Sequence, residues 1–346
     1  MANDTMRAAV LVTPGRIELR EVKRPACGPA DVIVQVERCG ICGTDVHIFK
    51  GHYASDRLPL IPGHEFAGRI MERGRDVRGL AEGERVIADI NVGCGTCFYC
   101  RHNEVLNCPD VVQLGIHADG AFAEYVRVPA RLAIPIPAGM SFALAALTEP
   151  LACVVRAAKS ARLRFAESVL VLGAGPVGNL HVQLARAVGA APVIAAERDP
   201  RRAALVRACG ADAVVEDPAR LRETVLAMTE GRGADLVIES VGSVALYEEA
   251  LRLVRPGGRV AAFGLTGPEA RVAVAPLDFV LKEIGLAGSV AGMGEDMHQA
   301  LRLLAHGRID AAPFLQDVRP LDALQDAIAT VAAWPQALKT QIAVAP

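Results

Sequence analysis

A chain of 346 residues is longer than a typical single hydrophobic core, so its length predicts two domains. Hydrophobic residues make up 52% of the sequence and charged residues 22%, a composition that excludes an intrinsically disordered chain. The formal net charge is −2, and both signs are interspersed without a basic tract, which argues against nucleic acid as a partner.

The N-terminal sequence and the cysteine content indicate a cytoplasmic protein. The first residues lack a cationic segment followed by an apolar one, so we expect no signal peptide. No apolar run reaches the roughly 18 residues that a membrane-spanning helix needs, so we expect no membrane partner. The sequence has nine cysteines, an odd number, and four of them have the spacing of a zinc site rather than a disulfide framework.

The chain up to about residue 140 predicts a β-rich domain. Short apolar runs separated by Gly and Pro pairs predict strands at Arg7–Val12, Asp31–Val36, Gly68–Glu72 and Glu84–Ala88. Helical periodicity is scarce over the same residues.

Residue types that bind catalytic metal ions occur at three places along the chain. Cys42 lies in the segment GICGTDVH, His64 and Glu65 follow Gly63, and Glu149 lies in the segment TEP. A thiolate, an imidazole and a carboxylate form a three-ligand set that leaves one zinc position open for water or an alcohol oxygen. Taken singly, each has an ordinary structural explanation: a buried thiol, a hydrogen-bonded core histidine or a helix-end carboxylate.

Four cysteines lie close together in the sequence between the second and third of these places. Their spacing is C-x2-C-x2-C-x7-C, within a segment of about residues 91–110 that is rich in Gly and Asn, and they are Cys94, Cys97, Cys100 and Cys108. Four thiolates without an open position are typical of a structural zinc site. We therefore expect this segment to form a zinc-stapled lobe without chemistry of its own.

From about residue 142 the pattern changes to alternating strands and helices. Apolar runs predict strands, and 3–4 spacing predicts helices with one long helix from Pro176 to a stop at Gly189. This alternation predicts a parallel, doubly wound sheet. The predicted strands are Ser168–Leu172, Pro192–Ala196, Ala213–Val215, Asp235–Ser240 and Arg259–Gly264, with further helices at about 200–209, 219–229, 244–254 and 296–306.

The segment from Gly173 to Gly178 has the pattern G-x-G-x-x-G and predicts a dinucleotide-binding loop. A buried strand precedes it and a helix starts within it, which is the structural context that the pattern requires. The helix N-terminus would face the pyrophosphate with free N–H groups. The loop residues expected to contact the cofactor are Gly173, Gly175, Pro176, Val177 and Gly178.

Glu197 ends the next strand, 19 residues after Gly178. Its carboxylate is expected to accept the adenosine ribose hydroxyls and to repel a 2′-phosphate, which favours NAD. Arg198, the next residue, could instead bind that phosphate, so NADP stays the alternative.

The chain resembles the zinc-dependent medium-chain alcohol and polyol dehydrogenases over nearly its whole length. The matching segments are GICGTDVH, PGHEFAG at 62–68, the four-cysteine lobe, GAFAEY at 120–125, TEPLAC at 148–153 and the GAGPVG loop. The resemblance implies an α/β protein with a GroES-like β-rich catalytic domain, residues 1–150 and 291–346, and a Rossmann domain, residues 151–290. It also implies two zinc ions per subunit, one catalytic and one structural, and NAD as cofactor.

The same resemblance implies roles for individual residues. Cys42, His64 and a nearby carboxylate would bind the catalytic zinc. That carboxylate is Glu65, or Glu149 directly or through a water, and the two could exchange during turnover.

Three further roles follow from the resemblance for residues of the GICGTDVH segment. Asp45 would orient the ligating histidine. Thr44 would contact the substrate oxygen, and His47 would form the outer end of a proton relay through the cofactor ribose.

The substrate implied by the resemblance is a secondary alcohol in a polyol or diol, with threonine-type amino-alcohol oxidation as the alternative. Sorbitol-type enzymes have an Arg-Tyr pair after the last Rossmann strand, where this chain has Ala291 and Gly292. This difference weakens sorbitol itself. Tyr53 could line the substrate pocket or be a surface aromatic.

Other functional classes fit the sequence less well. A zinc-ribbon module for nucleic acid would need a basic face, which the lobe lacks, and a zinc-free quinone reductase would lack both metal sets. A non-catalytic zinc- and NAD-binding relative would have lost Cys42, His64 or the relay. The resemblance also implies a homo-oligomer, a tetramer or a dimer, paired through the edge strand at about Leu286–Val290.

Overall fold

The computed structural model describes residues 4–333 and 337–345, which form two compact units. The first unit comprises the chain up to Pro150, Met293–His306 and the segment from Ala311 onward. The second unit comprises Leu151–Gly292 and Gly307–Asp310. Among the described residues, no helix combines the length and the apolar character needed to cross a membrane.

The β-strands are distributed over both units. In chain order they are β1 (Thr5–Thr13), β2 (Arg16–Lys23), β3 (Asp31–Gly40), β4 (Glu65–Arg73), β5 (Arg85–Ala88), β6 (Asn91–Val92), β7 (Val112–Gln113), β8 (Tyr125–Pro129), β9 (Ala133–Pro135), β10 (Val169–Leu172), β11 (Val193–Ala196), β12 (Ala213–Val215), β13 (Ala234–Glu239), β14 (Val254–Ala262), β15 (Gly285–Gly288), β16 (Asp317–Pro320) and β17 (Thr340–Ala343).

The α-helices are longest in the second unit. In chain order they are α1 (Gly43–Phe49), α2 (Phe98–Arg101), α3 (Phe142–Ala145), α4 (Thr148–Ser160), α5 (Pro176–Val188), α6 (Pro200–Ala208), α7 (Leu221–Met228), α8 (Val244–Leu253), α9 (Pro276–Lys282), α10 (Glu295–Ala305) and α11 (Leu324–Ala332).

The first unit is built on a sheet with the strand order β16-β17-β3-β4-β5-β9, and β8 also pairs with β3. Strand β3 lies near the middle because its alternating apolar side chains, Val32, Val34 and Val36, are completely buried. It pairs antiparallel with both β4 and β17, and Gly40 at its end lies opposite Glu65 on one side and Gln341 on the other. These pairings bring residues from distant parts of the sequence to one end of the sheet.

The second unit contains a parallel sheet with the strand order β12-β11-β10-β13-β14-β15. The central strand β10 consists of four apolar residues that are all buried, as expected for a strand covered on both faces. The order reverses between β10 and β13, which creates the switch point where doubly wound sheets bind ligands beyond the carboxyl ends of their strands. The structure thus confirms the predicted parallel, doubly wound sheet.

Some elements were not predicted from the sequence. Helix α4, most of whose residues are buried, was not predicted, although its apolar residues are as one-sided as those of the predicted helix α5. The predicted strand Arg259–Gly264 is longer than expected and starts at Val254, since a first bridge with Ala234 precedes a register shift. Strands β16 and β17 complete the first unit from the C-terminal part of the chain.

Candidate active site

The structure brings Cys42, His64 and Glu65 together at the end of strands β3 and β4. One ligand atom from each lies within 4.8 Å of the others. Cys42 follows β3 and caps the N-terminus of α1, while His64 directly precedes β4. The ladder pair between Gly40 and Glu65 explains the proximity, because it fixes the end of β3 against the start of β4.

Asp45 connects Cys42 and His64 from the first turn of α1. Its Oδ2 accepts a hydrogen bond from the Cys42 N–H at 2.8 Å, and its Oδ1 lies 3.5 Å from His64 Nδ1. The side chains of Asp45 and His64 are both buried. Burial disfavours a charged imidazole, but the Asp45 carboxylate and the Cys42 side chain raise the pKa of His64 well above its ordinary value. The pocket around His64 therefore attracts a cation, which suits a metal ion bound by imidazole and thiolate.

Lys339 completes this cluster, and no sequence pattern predicted it. Its Nζ donates a hydrogen bond to Glu65 Oε1 at 2.5 Å and also forms an ion pair with Glu65 Oε2. Burial disfavours the ammonium, but Glu65, Cys42 and Glu149 raise the pKa of Lys339 above its ordinary value. A single lysine before an apolar strand carries no functional signal in a sequence. Only the neighbouring acids, Glu65 and Glu149, could have suggested a role for Lys339.

Glu149 lies in the first turn of α4 and is buried. At this site, among the described residues, the ligand atoms that lie within 4.8 Å of one another are those of Cys42, His64 and Glu65, and Glu149 is not one of them. Its effect on the pKa of Lys339 nevertheless shows that its carboxylate lies nearby. The part that Glu149 takes in metal binding stays a prediction.

Thr44 and His47 both lie on the short helix α1. Their spacing of three residues places them on one side of the helix, with Thr44 half-buried and His47 exposed. Partial burial and the nearby His52 and Lys50 lower the pKa of His47. The structure is compatible with the predicted relay, whose roles stay predictions.

Tyr53 is 44% exposed, and its ring lies 6.2 Å from that of His117 in an edge contact. The loop from Gly115 to Gly120 packs against Gly63. The contact is so close that a Cβ added to Gly115 or to Gly120 would lie 2.2 Å from the Gly63 carbonyl oxygen. This loop therefore lies directly beside the residue that precedes His64. Sequence reasoning missed His117, although it lies in the segment before the GAFAEY motif.

The four cysteines of the predicted lobe lie close together in the structure. The Sγ atoms lie within 4.8 Å of one another in the group of Cys94, Cys97, Cys100 and Cys108. The Cys97 N–H donates to Cys94 Sγ, and the Cys100 N–H donates to Cys97 Sγ, each at 3.4 Å. Hydrogen bonds, first from the Thr96 backbone, lower the pKa of Cys94 to about 6. A set of four clustered sulfur donors fits a closed zinc site.

The glycine loop joins β10 to α5 in the conformation that the pattern requires. Gly173 has φ +91°, and a Cβ on Gly178 would lie 1.9 Å from the Gly173 carbonyl oxygen. A Cβ on Gly175 would meet only Arg202 Nη1 at 3.7 Å, so there is space above the N-terminus of α5. The loop thus closes tightly on itself and leaves an open surface where a pyrophosphate would lie.

Glu197 lies directly after β11, buried against the glycine loop. Its Oε2 accepts the Ala174 N–H and its Oε1 accepts the Asp199 N–H, each at 2.9 Å. Arg198 is exposed, while Arg202 lies next to Gly175. The structure therefore places an acid and a second arginine, which the sequence analysis did not select, beside the predicted adenosine site.

Gly292 explains why the chain lacks the side chains of sorbitol-type enzymes at this position. A Cβ on Gly292 would lie between 2.4 and 2.7 Å from the Ala152 backbone and Cβ atoms. The Gly292 N–H also donates to Cys153 Sγ at 3.3 Å. Gly292 replaces the tyrosine of the Arg-Tyr pair, and a tyrosine at this position would require α4 to move.

Comparisons with known proteins agree with this site. Residues 28–138 match the model of the alcohol dehydrogenase GroES-like domain, and residues 176–306 match the zinc-binding dehydrogenase model. An L-threonine 3-dehydrogenase of Paraburkholderia phytofirmans is 33% identical over 92% of this chain and 93% of that protein.

Two solved structures are also similar over almost their full length. A zinc-binding dehydrogenase of Sinorhizobium meliloti bound to NADP has a TM-score of 0.91 and 35% identity, covering 98% of this chain and 99% of that one. The 2R,3R-butanediol dehydrogenase of Bacillus subtilis has a TM-score of 0.87 and 25% identity, covering 98% of this chain and 100% of that one. These matches confirm the predicted fold class and enzyme class, and the chain belongs to the zinc-dependent medium-chain alcohol dehydrogenase family.

Proposed function

We propose that this protein transfers hydride between a secondary alcohol and NAD(P). The observation that carries the proposal is the group of half-buried Cys42 with buried His64 and Glu65, whose ligand atoms lie within 4.8 Å of one another. Its combination with a glycine loop at the switch point of a parallel sheet supports alcohol oxidation over a binding or structural role.

Two absent groups would supply the central chemistry. When bound, zinc lowers the pKa of the alcohol hydroxyl as a Lewis acid, and the dinucleotide accepts or donates hydride. Cys42 and His64, with Glu65 or Glu149, would hold the catalytic ion, and the four cysteines of the lobe would hold the structural one.

The protein side chains would orient the metal ligands and move the proton. Asp45 would fix the ring of His64 through its carboxylate. Thr44 Oγ1 would accept the hydroxyl proton while its own proton moves towards the cofactor ribose, and His47, at the outer end of this relay, would pass a proton to solvent. Because the pKa of His47 is lowered, its imidazole is neutral at neutral pH and able to accept that proton.

For the substrate we propose a secondary alcohol in a polyol or diol, with L-threonine as the second candidate. The relative from Paraburkholderia phytofirmans favours threonine, and the Bacillus subtilis structure favours a diol. The close contact between Gly292 and Ala152 disfavours sorbitol recognition by a tyrosine at this position.

For the cofactor we propose NAD over NADP. The buried Glu197 carboxylate lies against the glycine loop, where its negative charge would repel a 2′-phosphate. If Arg198 and Arg202 instead recognise the phosphate, kcat/KM will be higher with NADP. In that case Arg198→Ala would lower kcat/KM with NADP. If our proposal holds, kcat/KM is higher with NAD, and Arg198→Ala leaves kcat/KM with NAD unchanged.

We further propose a cytoplasmic homo-oligomer, a dimer or tetramer, paired through the edge strand β15. This strand has one unpaired side in the described sheet, and exposed apolar side chains lie on it, just after it and on the preceding helix α9. They are Leu277, Val280, Leu281, Leu286 and Val290. Light scattering of the native protein and of Leu286→Lys tests this, since the charge would disrupt pairing. We assign the first unit to the catalytic domain and the second to the cofactor domain.

The deciding experiment measures NAD and NADP reduction by the zinc-replete protein. The alcohols are L-threonine, 2,3-butanediol, xylitol, sorbitol and a primary alcohol. Cys42→Ser should abolish turnover while NAD binding persists, and Cys27→Ser, a half-buried cysteine of the same unit outside the metal groups, should leave both unchanged. Full turnover by zinc-loaded Cys42→Ser would contradict the proposal.

A further inference from the structure

We infer that His117 is a specificity-determining residue whose Nε2–H donates a hydrogen bond to a second oxygen of the alcohol substrate, a hydroxyl or carboxylate near the carbinol carbon. The inference rests on the proposed function and deepens it, because it names the class of alcohol that the same site selects. It gives a role to a residue that lies outside the motifs of the sequence.

His117 lies on a loop that packs directly against the chain before the metal-binding histidine. Gly63 immediately precedes His64. A Cβ on Gly115 or on Gly120 would lie 2.2 Å from the Gly63 carbonyl oxygen, so the two backbones are in close contact. His117 is two residues from one of these glycines and three from the other, which places it beside the candidate metal site.

Hydrogen bonds on both sides of His117 hold this loop in place. The His117 N–H donates to the Gln113 carbonyl oxygen at 2.8 Å. Asp119 Oδ1 accepts the Ile61 N–H at 3.0 Å, which ties the loop to the residues that lead to the metal-binding histidine. A ring on a loop that is fixed in this way loses little freedom when a ligand binds, which favours selective recognition.

The Gln113 backbone also determines which ring nitrogen of His117 carries the proton. His117 Nδ1 accepts the Gln113 N–H at 3.2 Å. Burial, with a smaller effect from nearby Arg57, lowers the pKa of His117, so its imidazole is neutral at neutral pH. A neutral imidazole has one N–H, and because Nδ1 is the acceptor, that N–H is at Nε2. Among the described residues Nε2 has no hydrogen-bond partner, so it can donate to a ligand oxygen.

Tyr53 connects His117 to the outer end of the proposed proton relay. Its ring lies 6.2 Å from that of His117 in an edge contact. It directly follows His52, whose ring lies 6.3 Å from that of His47. The pair of His117 and Tyr53 is thus bordered by the metal-binding segment on one side and by the relay on the other. An alcohol that reacts between these two places carries its second oxygen within reach of the pair.

The test compares kcat/KM for two substrates with that for their counterparts, which lack the second oxygen group. The hydroxyl pair is 2,3-butanediol with 2-butanol, and the carboxylate pair is L-threonine with 1-amino-2-propanol. In His117→Asn the amide oxygen can still accept the Gln113 N–H, but the shorter side chain cannot donate where Nε2 does.

The size of the loss in His117→Asn identifies the group that is bound. A bound hydroxyl predicts a fall of about 3- to 10-fold in kcat/KM for 2,3-butanediol, and a bound carboxylate predicts about 10- to 100-fold for L-threonine, because hydrogen bonds to charged acceptors are stronger. The counterparts lose no hydrogen bond, so their kcat/KM should change by less than about 2-fold.

Two further variants serve as controls. His298→Asn makes the same substitution at an exposed histidine of the first unit and should match the wild type with all four alcohols. His117→Phe retains a ring against Tyr53 and replaces His117→Asn in the test if that variant does not fold. Zinc content and NADH binding should be those of the wild type in each variant.

Three results would overturn the inference. The first is an equal fall in kcat/KM for both members of each pair, which would make His117 purely structural. The second is unchanged kcat/KM for all four alcohols in His117→Asn, and the third is a wild type that oxidises the counterparts as well as the full substrates. A zinc-replete wild type that oxidises none of the four alcohols would contradict the proposed function itself, on which the inference rests.

Discussion

His181 makes the stability of the second unit depend on pH. Its side chain is buried on α5, its ring lies 4.9 Å from that of Phe263, and its Nε2 has no hydrogen-bond partner among the described residues. Burial alone lowers the pKa of His181 from 6.5 to about 3. The folded protein therefore excludes a proton that the unfolded chain accepts below pH 6.5.

The sign and size of the effect follow from that difference. The contribution of neutral His181 to the free energy of unfolding is complete above pH 6.5, and it is lost as the pH falls from 6.5 towards about 3. At pH 5 the unfolded chain gains about 2 kcal/mol from protonating this residue, and at pH 4 about 3 kcal/mol.

The assay is urea unfolding of wild-type protein and His181→Leu at pH 7 and pH 5, followed by circular dichroism. At pH 7 the two proteins should differ by less than about 1.5 kcal/mol, because leucine fills a similar volume and removes an unpartnered polar atom. Between pH 7 and pH 5 the variant should lose about 2 kcal/mol less than the wild type. His298→Gln, which removes an exposed imidazole, should behave as wild type. An equal loss in His181→Leu and wild type would refute the reasoning.

Three further predictions concern backbone space and metal content. Gly178→Ala should cost about 1–3 kcal/mol in urea unfolding, because its Cβ would meet the Gly173 carbonyl oxygen, while Gly175→Ala should stay within about 0.5 kcal/mol of wild type and weaken NADH binding in a fluorescence titration. Gly292→Tyr should lower the thermal midpoint without creating sorbitol activity, since the side chain would displace Ala152, and a stable, sorbitol-active variant would show that α4 can move. Cys97→Ser should reduce the zinc content from two ions to one and lower the thermal midpoint; two retained ions would argue against the lobe as a zinc site.

The sequence predicted the cofactor unit well because its signals are local. Strand β10 is a run of four apolar residues, and the glycine loop and helix α5 follow without interruption. The stop of α5 at Gly189 was also predicted, and Gly189 has the left-handed conformation, with φ +92°, that favours glycine there. Within about 20 residues, strand, turn and helix each carry their own pattern, so no tertiary contact is needed to recognise them.

The remaining features depend on contacts between distant segments. The reason for a glycine at position 292 is clear only from the structure, which shows Ala152, 140 positions earlier in the chain, directly beside it. His181 has the spacing of an ordinary helix residue, and its abnormal pKa arises from burial that the sequence does not display.

The pair of Glu65 and Lys339 shows most clearly where local reasoning ends. The two residues are 274 positions apart, and they meet because β17 and β4 flank β3 on opposite sides. Motif spacing identified Glu65 as a candidate metal ligand, since it directly follows His64. It could not reveal that a buried ammonium already holds that carboxylate, because this depends on strand order and on the space left by Gly40. The environment of the Glu65 carboxylate is thus determined by the pairing of the sheet rather than by the motif that contains it.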